Sequence, residues 1–402
     1  MTSSDPLPPE APTADGSIHG VGDAPSPTAR AASEAGPSMG ERNEKNRYIQ
    51  GARGLFALFV FIYHVHHSGL RTFPILDGPI PSFLLGSLEH GVELFFGISG
   101  IVILGSLLRK RSATVFMWDR ISRLFPVLWA STVLTLIVMI VYKLPVPSTY
   151  TIIGSFLALP PFFNIDPVNP IAWTLAFEMM LYWYCAAVWQ IRLSPVLVAI
   201  AILAAAVVLI YYPRTMMMLA GALVFYRFQQ PSAVDKVARY SLLCLMVYLL
   251  GLRGLVVAAG GLADSLQPLK FPLVQGLLLE IGIVVVTGVG CIALVGIAKG
   301  YGILGKMLGT RLFVWLGTIS YSFYLWHIPI IAAGKRILRW LHLADVHYSQ
   351  ALLFVGALPI ALIVATVSYE ILEARVSVWL RHLYRMPAPA AAPAKVSVPA
   401  DT

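Results

Sequence analysis

Charge is what this chain has least of. Only 12% of its 402 residues are Asp, Glu, Lys or Arg, roughly half of what a water-soluble domain uses to cover its surface. A soluble Rossmann or barrel enzyme is excluded on that ground. Cysteine is scarce as well: Cys185, Cys244 and Cys291 are three in number and lie within apolar stretches, so no disulfide framework is implied. The alternating ten-residue segments of a bilayer-spanning β-barrel are missing. The first 46 residues hold no apolar core behind a basic start, so a cleaved signal peptide is not expected. No internal repeat of 20 to 50 residues is visible, which disfavours a transporter built from inverted repeats.

What is present is apolar. Hydrophobic residues make up 57% of the chain and the mean hydropathy is +0.75, arranged as near-continuous runs of Leu, Val, Ile, Ala and Phe. The pattern predicts an all-α, polytopic membrane helix bundle of about ten transmembrane helices. The expected spans lie near 51–68, 92–108, 124–142, 171–191, 196–212, 214–228, 241–259, 272–297, 312–333 and 350–372. The sixth is short and bounded by Arg214 and Arg227; if it fails to cross, the topology of everything after it inverts. Residues 1–46, rich in Pro, Ala, Ser and Gly, read as a disordered tail, 47–386 as one transmembrane domain, and 387–402 as a second tail.

A net charge of +9 would suit a nucleic-acid partner, but the basic residues sit mostly at the ends of apolar runs, where they set orientation in a lipid bilayer. With both tails on one face, that face receives 19 Lys and Arg flanking the spans and the other receives 8. Both termini are therefore expected in the cytoplasm. Arg109, Lys110 and Arg111 are read as part of this charge asymmetry.

Ionisable side chains inside a span cost about 2.5 to 3.5 kcal/mol on insertion scales, so each needs a partner or a purpose. His64, Glu93, Glu178, Arg253, Glu280 and His327 qualify. Arg53 opens the first span and His64 follows eleven positions later, on the same helix face and about 16 Å away along the axis. Glu178 and His327 fall near the depth of His64, so three helices can bring acid-base groups to one level. A histidine with a carboxylate to orient it is what general base catalysis on a hydroxyl needs. The plainer reading pairs Glu178 and His327 with each other or with Arg253. His64, His66 and His67 invite a metal reading, but no acidic or Cys ligand is near in sequence and catalytic zinc usually takes three ligands; no metal is expected. Arg120 and Arg123 stand one turn apart before Pro126, and two guanidiniums on one face suit a phosphate or pyrophosphate.

Five segments together resemble the acyltransferase-3 family of membrane acyltransferases. They are Arg53 with His64; Gly91-Val92-Glu93-Leu94-Phe95-Phe96-Gly97-Ile98-Ser99-Gly100; Arg120 and Arg123 before Pro126; Trp173-Thr174-Leu175 with Glu178; and Ser320-Tyr321-Ser322-Phe323-Tyr324-Leu325-Trp326-His327. The likeness covers most of 47–385, with Glu93 where an Asp is common and Ala176 where a Ser is common. The resemblance implies transfer of an acyl group, usually acetyl from acetyl-CoA, to a hydroxyl of a carbohydrate or glycolipid, in a bacterial cytoplasmic (inner) membrane. It implies that His64 is essential, with Glu178, Glu93 and His327 as further catalytic candidates. Arg53, Arg120 and Arg123 would hold the acyl-CoA, and Trp173, Ser99, Tyr321 and Tyr324 would contact substrate. The rival reading is a transporter or flippase for an anionic or glycolipid substrate, in which the arginines form the path and His64 and Glu178 relay protons.

Overall fold

The computed structural model describes residues 39–107, 112–191, 195–227, 232–260 and 268–383. All regular structure among them is helical, as apolar segments in hydrocarbon require, because a helix satisfies its own backbone polar groups. The chain runs α1 (Met39–His66), α2 (Pro79–Gly86), α3 (Gly91–Leu107), α4 (Ala113–Val141), α5 (Thr149–Phe156), α6 (Trp173–Ile191), α7 (Pro195–Tyr211) and α8 (Met216–Arg227). It continues with α9 (Val234–Ala238), α10 (Ser241–Ala258), α11 (Leu273–Ala298), α12 (Gly302–Leu308), α13 (Arg311–Trp340), α14 (Ser349–Ser368), a π-helical turn at Tyr369–Val376, and α15 (Ser377–Leu383).

A helix occupies each of the ten expected stretches, but ten membrane crossings do not follow. Among the described residues six segments are long and apolar enough to cross: Arg47–His66, Pro79–Leu107, Ala113–Val141, Ser241–Ala258, Leu273–Ala298 and Ser349–Leu383. A seventh joins them if Val196–Tyr211 and Pro213–Tyr226, bent by 118° at their junction, count as one span. The twelve residues of α8 reach about 18 Å, well short of a hydrocarbon core of about 30 Å. The expected fifth and sixth spans are thus two arms of one broken element. α13 is long enough at 30 residues but buries Ser320, Tyr321, Ser322, Tyr324 and His327, so it is less apolar than a helix that faces lipid.

α1 begins at Met39, inside the stretch expected to be tail. The rest of 1–46, all of 387–402, and Arg109, Lys110, Arg111, Arg192 and Arg385 lie outside the described residues.

Large apolar side chains point outward along α7 and α11, with Leu203 66% and Leu273 86% exposed, a surface that only hydrocarbon covers at low cost. Between lipid-like surfaces the driving force for helix association is close packing, and small residues permit it. On α3 and α8, a Cβ at Gly221 would lie 1.9 Å from the Gly97 carbonyl oxygen, so the two backbones touch. On α1 and α13, a Cβ at Gly317 would lie 1.7 Å from the Gln50 carbonyl oxygen and one at Gly54 would lie 2.7 Å from the Gly317 nitrogen. Ten residues after Gly54 comes His64, and ten after Gly317 comes His327; these two side chains also meet. Two contacts at equal spacing mean that α1 and α13 run parallel. α1 serves both sides of the interior: Phe56 and Val60 join the larger apolar core with α3, α4 and α6, and Ala57 and Phe61 join the smaller one with α13 and α14.

Candidate active site

The parallel seam of α1 and α13 places two imidazoles together. His327 Nε2 lies 3.3 Å from His64 Nδ1. His64 Nδ1 is also 2.8 Å from the Val60 carbonyl oxygen, and His327 Nδ1 is 3.3 Å from the Phe323 carbonyl oxygen. A carbonyl only accepts, so both Nδ1 atoms carry the proton when the rings are neutral. His327 Nε2 is then a bare lone pair that accepts from His64 Nδ1–H, which it shares with Val60. What remains is the lone pair on His64 Nε2. His327 is fully buried whereas His64 keeps part of its surface open, so His64 is the ring that can meet a substrate and His327 is the ring that orients it. Phe61 and Phe323 pack on His327 with ring centroids 6.2 and 6.1 Å away.

The carboxylates expected to orient His64 are elsewhere. Glu178 accepts from Ser99 Oγ at 3.3 Å and from the Tyr182 hydroxyl, and Glu93 accepts from Arg214 Nε at 2.5 Å, with His90 Nδ1 3.4 Å away. The plainer pairing with Arg253 is not formed either, since Arg253 Nη1 pairs with Glu89 at 3.3 Å. The reason is register. Glu178 comes off α6 onto a neighbouring face of α3, and Glu93 turns toward the elbow between α7 and α8, away from α1.

Glu178 instead joins the arginines. Arg53, Arg120 and Arg123 line one cavity of about 90 Å³ with Glu178, Ser99, Tyr182, Ser320, Tyr321 and Tyr324. Three helices supply the guanidiniums and carboxylate: α1 gives Arg53, α4 gives Arg120 and Arg123, and α6 gives Glu178. Among the described residues none of the three guanidiniums closes an ion pair within 4 Å. Arg120 lies over the rings of Phe116 and Tyr182, at 5.5 and 5.7 Å, and its buried Nε has no hydrogen-bond partner. Three cations against one lining carboxylate leave an excess positive charge in a partly dry space, which an anion offsets. The cavity follows α13 from Ser320 to Tyr324, and His327 is the next turn of that helix, about 4.5 Å further along the axis.

Of the four side chains expected to contact substrate, Ser99, Tyr321 and Tyr324 line this cavity. Tyr321 donates its hydroxyl to the Leu124 carbonyl at 2.6 Å, and the Tyr324 hydroxyl lies 3.2 Å from Thr174 Oγ1. Trp173 is placed differently: the Arg214 guanidinium stacks on its ring at 5.0 Å, beside Phe177. His66 and His67 stay outside the pair, His67 exposed with Nδ1 3.0 Å from the Tyr63 carbonyl oxygen.

Two groups had no sequence signal of their own. Glu373, 6% exposed on the π-helical turn, accepts from Ser322 Oγ at 2.7 Å and is within electrostatic reach of Arg53 and Arg123. It lies one residue past the last expected span, 350–372, so hydropathy does not mark it as a charge inside a span. Glu89, His90 and Arg214 build the network around Glu93 and Arg253; Glu89 and His90 precede the second expected span, and Arg214 bounds the sixth.

The apolar helices thus enclose a buried imidazole pair beside a cavity lined by three arginines. A family model described as an acyltransferase domain matches residues 46–370, and the chain belongs to the acyltransferase-3 family. It is a membrane acyltransferase. No curated protein and no solved structure matches the chain.

Proposed function

We propose that this acyltransferase moves an acyl group, acetyl in the simplest case, from acyl-CoA to a hydroxyl of a carbohydrate such as an exopolysaccharide, O-antigen or lipid-linked glycan, in the bacterial inner membrane. The observation that carries the proposal is the histidine pair, whose hydrogen bonds leave one bare lone pair, on His64 Nε2. In the step proposed, His64 Nε2 takes the acceptor's hydroxyl proton as that oxygen attacks the thioester carbonyl. The C–S bond breaks, and the proton passes from the imidazolium to the departing thiolate. The positive charge that develops on His64 is spread through Nδ1–H to Val60 and His327, which do here what a carboxylate does in a Ser-His-Asp arrangement. Arg53, Arg120 and Arg123 hold the phosphates of the donor. Glu178, held by Ser99 and Tyr182, balances them and keeps the cavity from trapping the anion after reaction.

A covalent route uses the same lone pair: His64 Nε2 attacks the thioester, CoA leaves as thiolate, and the acyl-imidazole is handed to the acceptor oxygen. It suits an acceptor that never meets CoA. Transfer of a radiolabelled acetyl group from acetyl-CoA by purified protein, with and without a glycan acceptor, tests the function. Absence of both hydrolysis and transfer would overturn it, and label retained on His64 without acceptor would select the covalent route. The transporter reading gains one feature, the helix broken at Tyr212–Thr215. Its elbow is held shut by the buried Arg214–Glu93 pair, and the family favours the enzyme.

A further inference from the structure

Pro329 lies inside α13, two residues beyond His327. Proline has no N–H, so the carbonyl four residues earlier, that of Leu325, loses its helical partner. In a dry interior an unpaired carbonyl is expensive, and the chain must find it another donor. The donor comes from far away in sequence. Asn169, fully buried in the segment before α6, gives its Nδ2 to the Leu325 carbonyl at 3.0 Å. Asn169 Oδ1 has no partner among the described residues, so the Leu325 bond is what its amide gains by being buried there. The segment is fixed on both sides of Asn169: Val168 N donates to Ser155 Oγ at 3.0 Å, and Ala172 N donates to the Asn169 carbonyl at 2.9 Å. A rigid loop therefore grips α13 at the one carbonyl its proline releases, and His327 stands between that carbonyl and the proline.

We propose that Asn169 is a positioning residue for His327: by replacing the hydrogen bond Pro329 cannot make, it fixes the stretch of α13 that holds His327 Nε2 against His64 Nδ1. This rests on the reading of the histidine pair given above. At 3.3 Å that contact is already at the long end of a hydrogen bond, beyond the usual range of about 2.7 to 3.2 Å. A few tenths of an ångström of drift in α13 breaks it. His64 would then lose the partner that orients its ring, while the arginines of the donor cavity would not move.

The test uses the full-length protein in detergent or nanodiscs. Asn169→Asp keeps the size and loses the donor; Asn169→Ala loses both. Each is expected to lower kcat by about 10- to 100-fold, the scale of a small misplacement of a catalytic group, with KM for acetyl-CoA unchanged. Pro329→Ala returns an N–H to the helix, so Asn169→Ala/Pro329→Ala should recover the thermal stability that Asn169→Ala loses but not its kcat, because the loop no longer fixes that stretch of the helix. A merely structural Asn169 would recover both together. That result, or wild-type kcat in Asn169→Asp, overturns the proposal. If the wild-type protein transfers no acyl group, the functional reading fails and ¹⁵N-histidine spectra still decide this one. The His327 signal, assigned with His327→Gln, should be that of an Nδ1–H tautomer and should shift in Asn169→Asp; an identical spectrum in the two proteins overturns it.

Discussion

In the proposed mechanism His64 and His327 divide one task, and single substitutions should separate their parts. His64→Ala and His64→Gln, which remove the exposed lone pair, should abolish transfer and leave acyl-CoA binding intact, as measured by equilibrium binding to purified protein. His327→Gln, which keeps a group able to accept from His64 Nδ1–H, should lower kcat by about 10- to 100-fold rather than abolish it. At the other end of the site, Arg120→Ala and Arg123→Ala should each raise KM for acyl-CoA by about 10- to 150-fold, equivalent to the roughly 1.5 to 3 kcal/mol of a charged hydrogen bond. Lysine should rescue in part, because it restores the charge without the planar fork; an unchanged KM in both Ala variants would remove these arginines from the donor site. These residues were legible because a charge inside an apolar run announces itself. Their partners were not. The side chain that meets His64 is His327, 263 positions away, and helical spacing on single elements says which face a residue occupies but not which face of which helix lies opposite. Asn169 was harder still, since its role depends on Pro329, 160 positions further on.

Among the elements, α1 with α13 and α3 with α8 are held by glycine contacts too close for any side chain. Gly317→Val would drive methyl groups into the Gln50 carbonyl, 1.7 Å from where the Cβ alone would sit, so α1 and α13 must separate. The cost exceeds the roughly 1 to 3 kcal/mol of ordinary overpacking. Loss of folded protein in fluorescence-detected size exclusion checks it, with Gly356→Val, where a Cβ meets nothing within 4 Å, as the tolerated control. The elbow between α7 and α8 is held by charge instead. Glu93 is 1% exposed and Arg214 pairs with it, and breaking a buried pair by removing one partner costs about 3 to 5 kcal/mol. Glu93→Ala should therefore lower the midpoint of thermal unfolding while the folded fraction keeps its kcat. A fall in kcat with unchanged stability would return Glu93 to the chemistry. Helix positions were legible from hydropathy, but the elbow was not, because Pro213 and Arg214 look like any connection between two spans. The glycine seams were hidden among the chain's 32 glycines, with nothing local to mark which of them meet.

For the whole molecule, the parallel run of α1 and α13 constrains the path of the chain between them. Two helices that enter from the same face are separated by an odd number of passages across the bundle. If the α7–α8 element did not reverse the chain, the number would be even and α13 would run against α1. Its bend of 118° exceeds a right angle, so α8 does turn back, even though its twelve residues are too few to cross. From charge, with 19 flanking Lys and Arg expected on the face of the tails and 8 on the other, we propose that the positive-inside bias sets the tails in the cytoplasm. In that proposed orientation the loops that hold Asp77 and Asp345 fall on the outer face, the side from which the proposed glycan acceptor would arrive. Single cysteines at 77 and 345, in a background lacking Cys185, Cys244 and Cys291, should both react with a membrane-impermeant maleimide in intact cells. Labelling at 77 but at 345 only after lysis would mean that the chain between them passes an odd number of times. The parallel seam of α1 and α13, and with it the pairing of His64 and His327, would have to be abandoned.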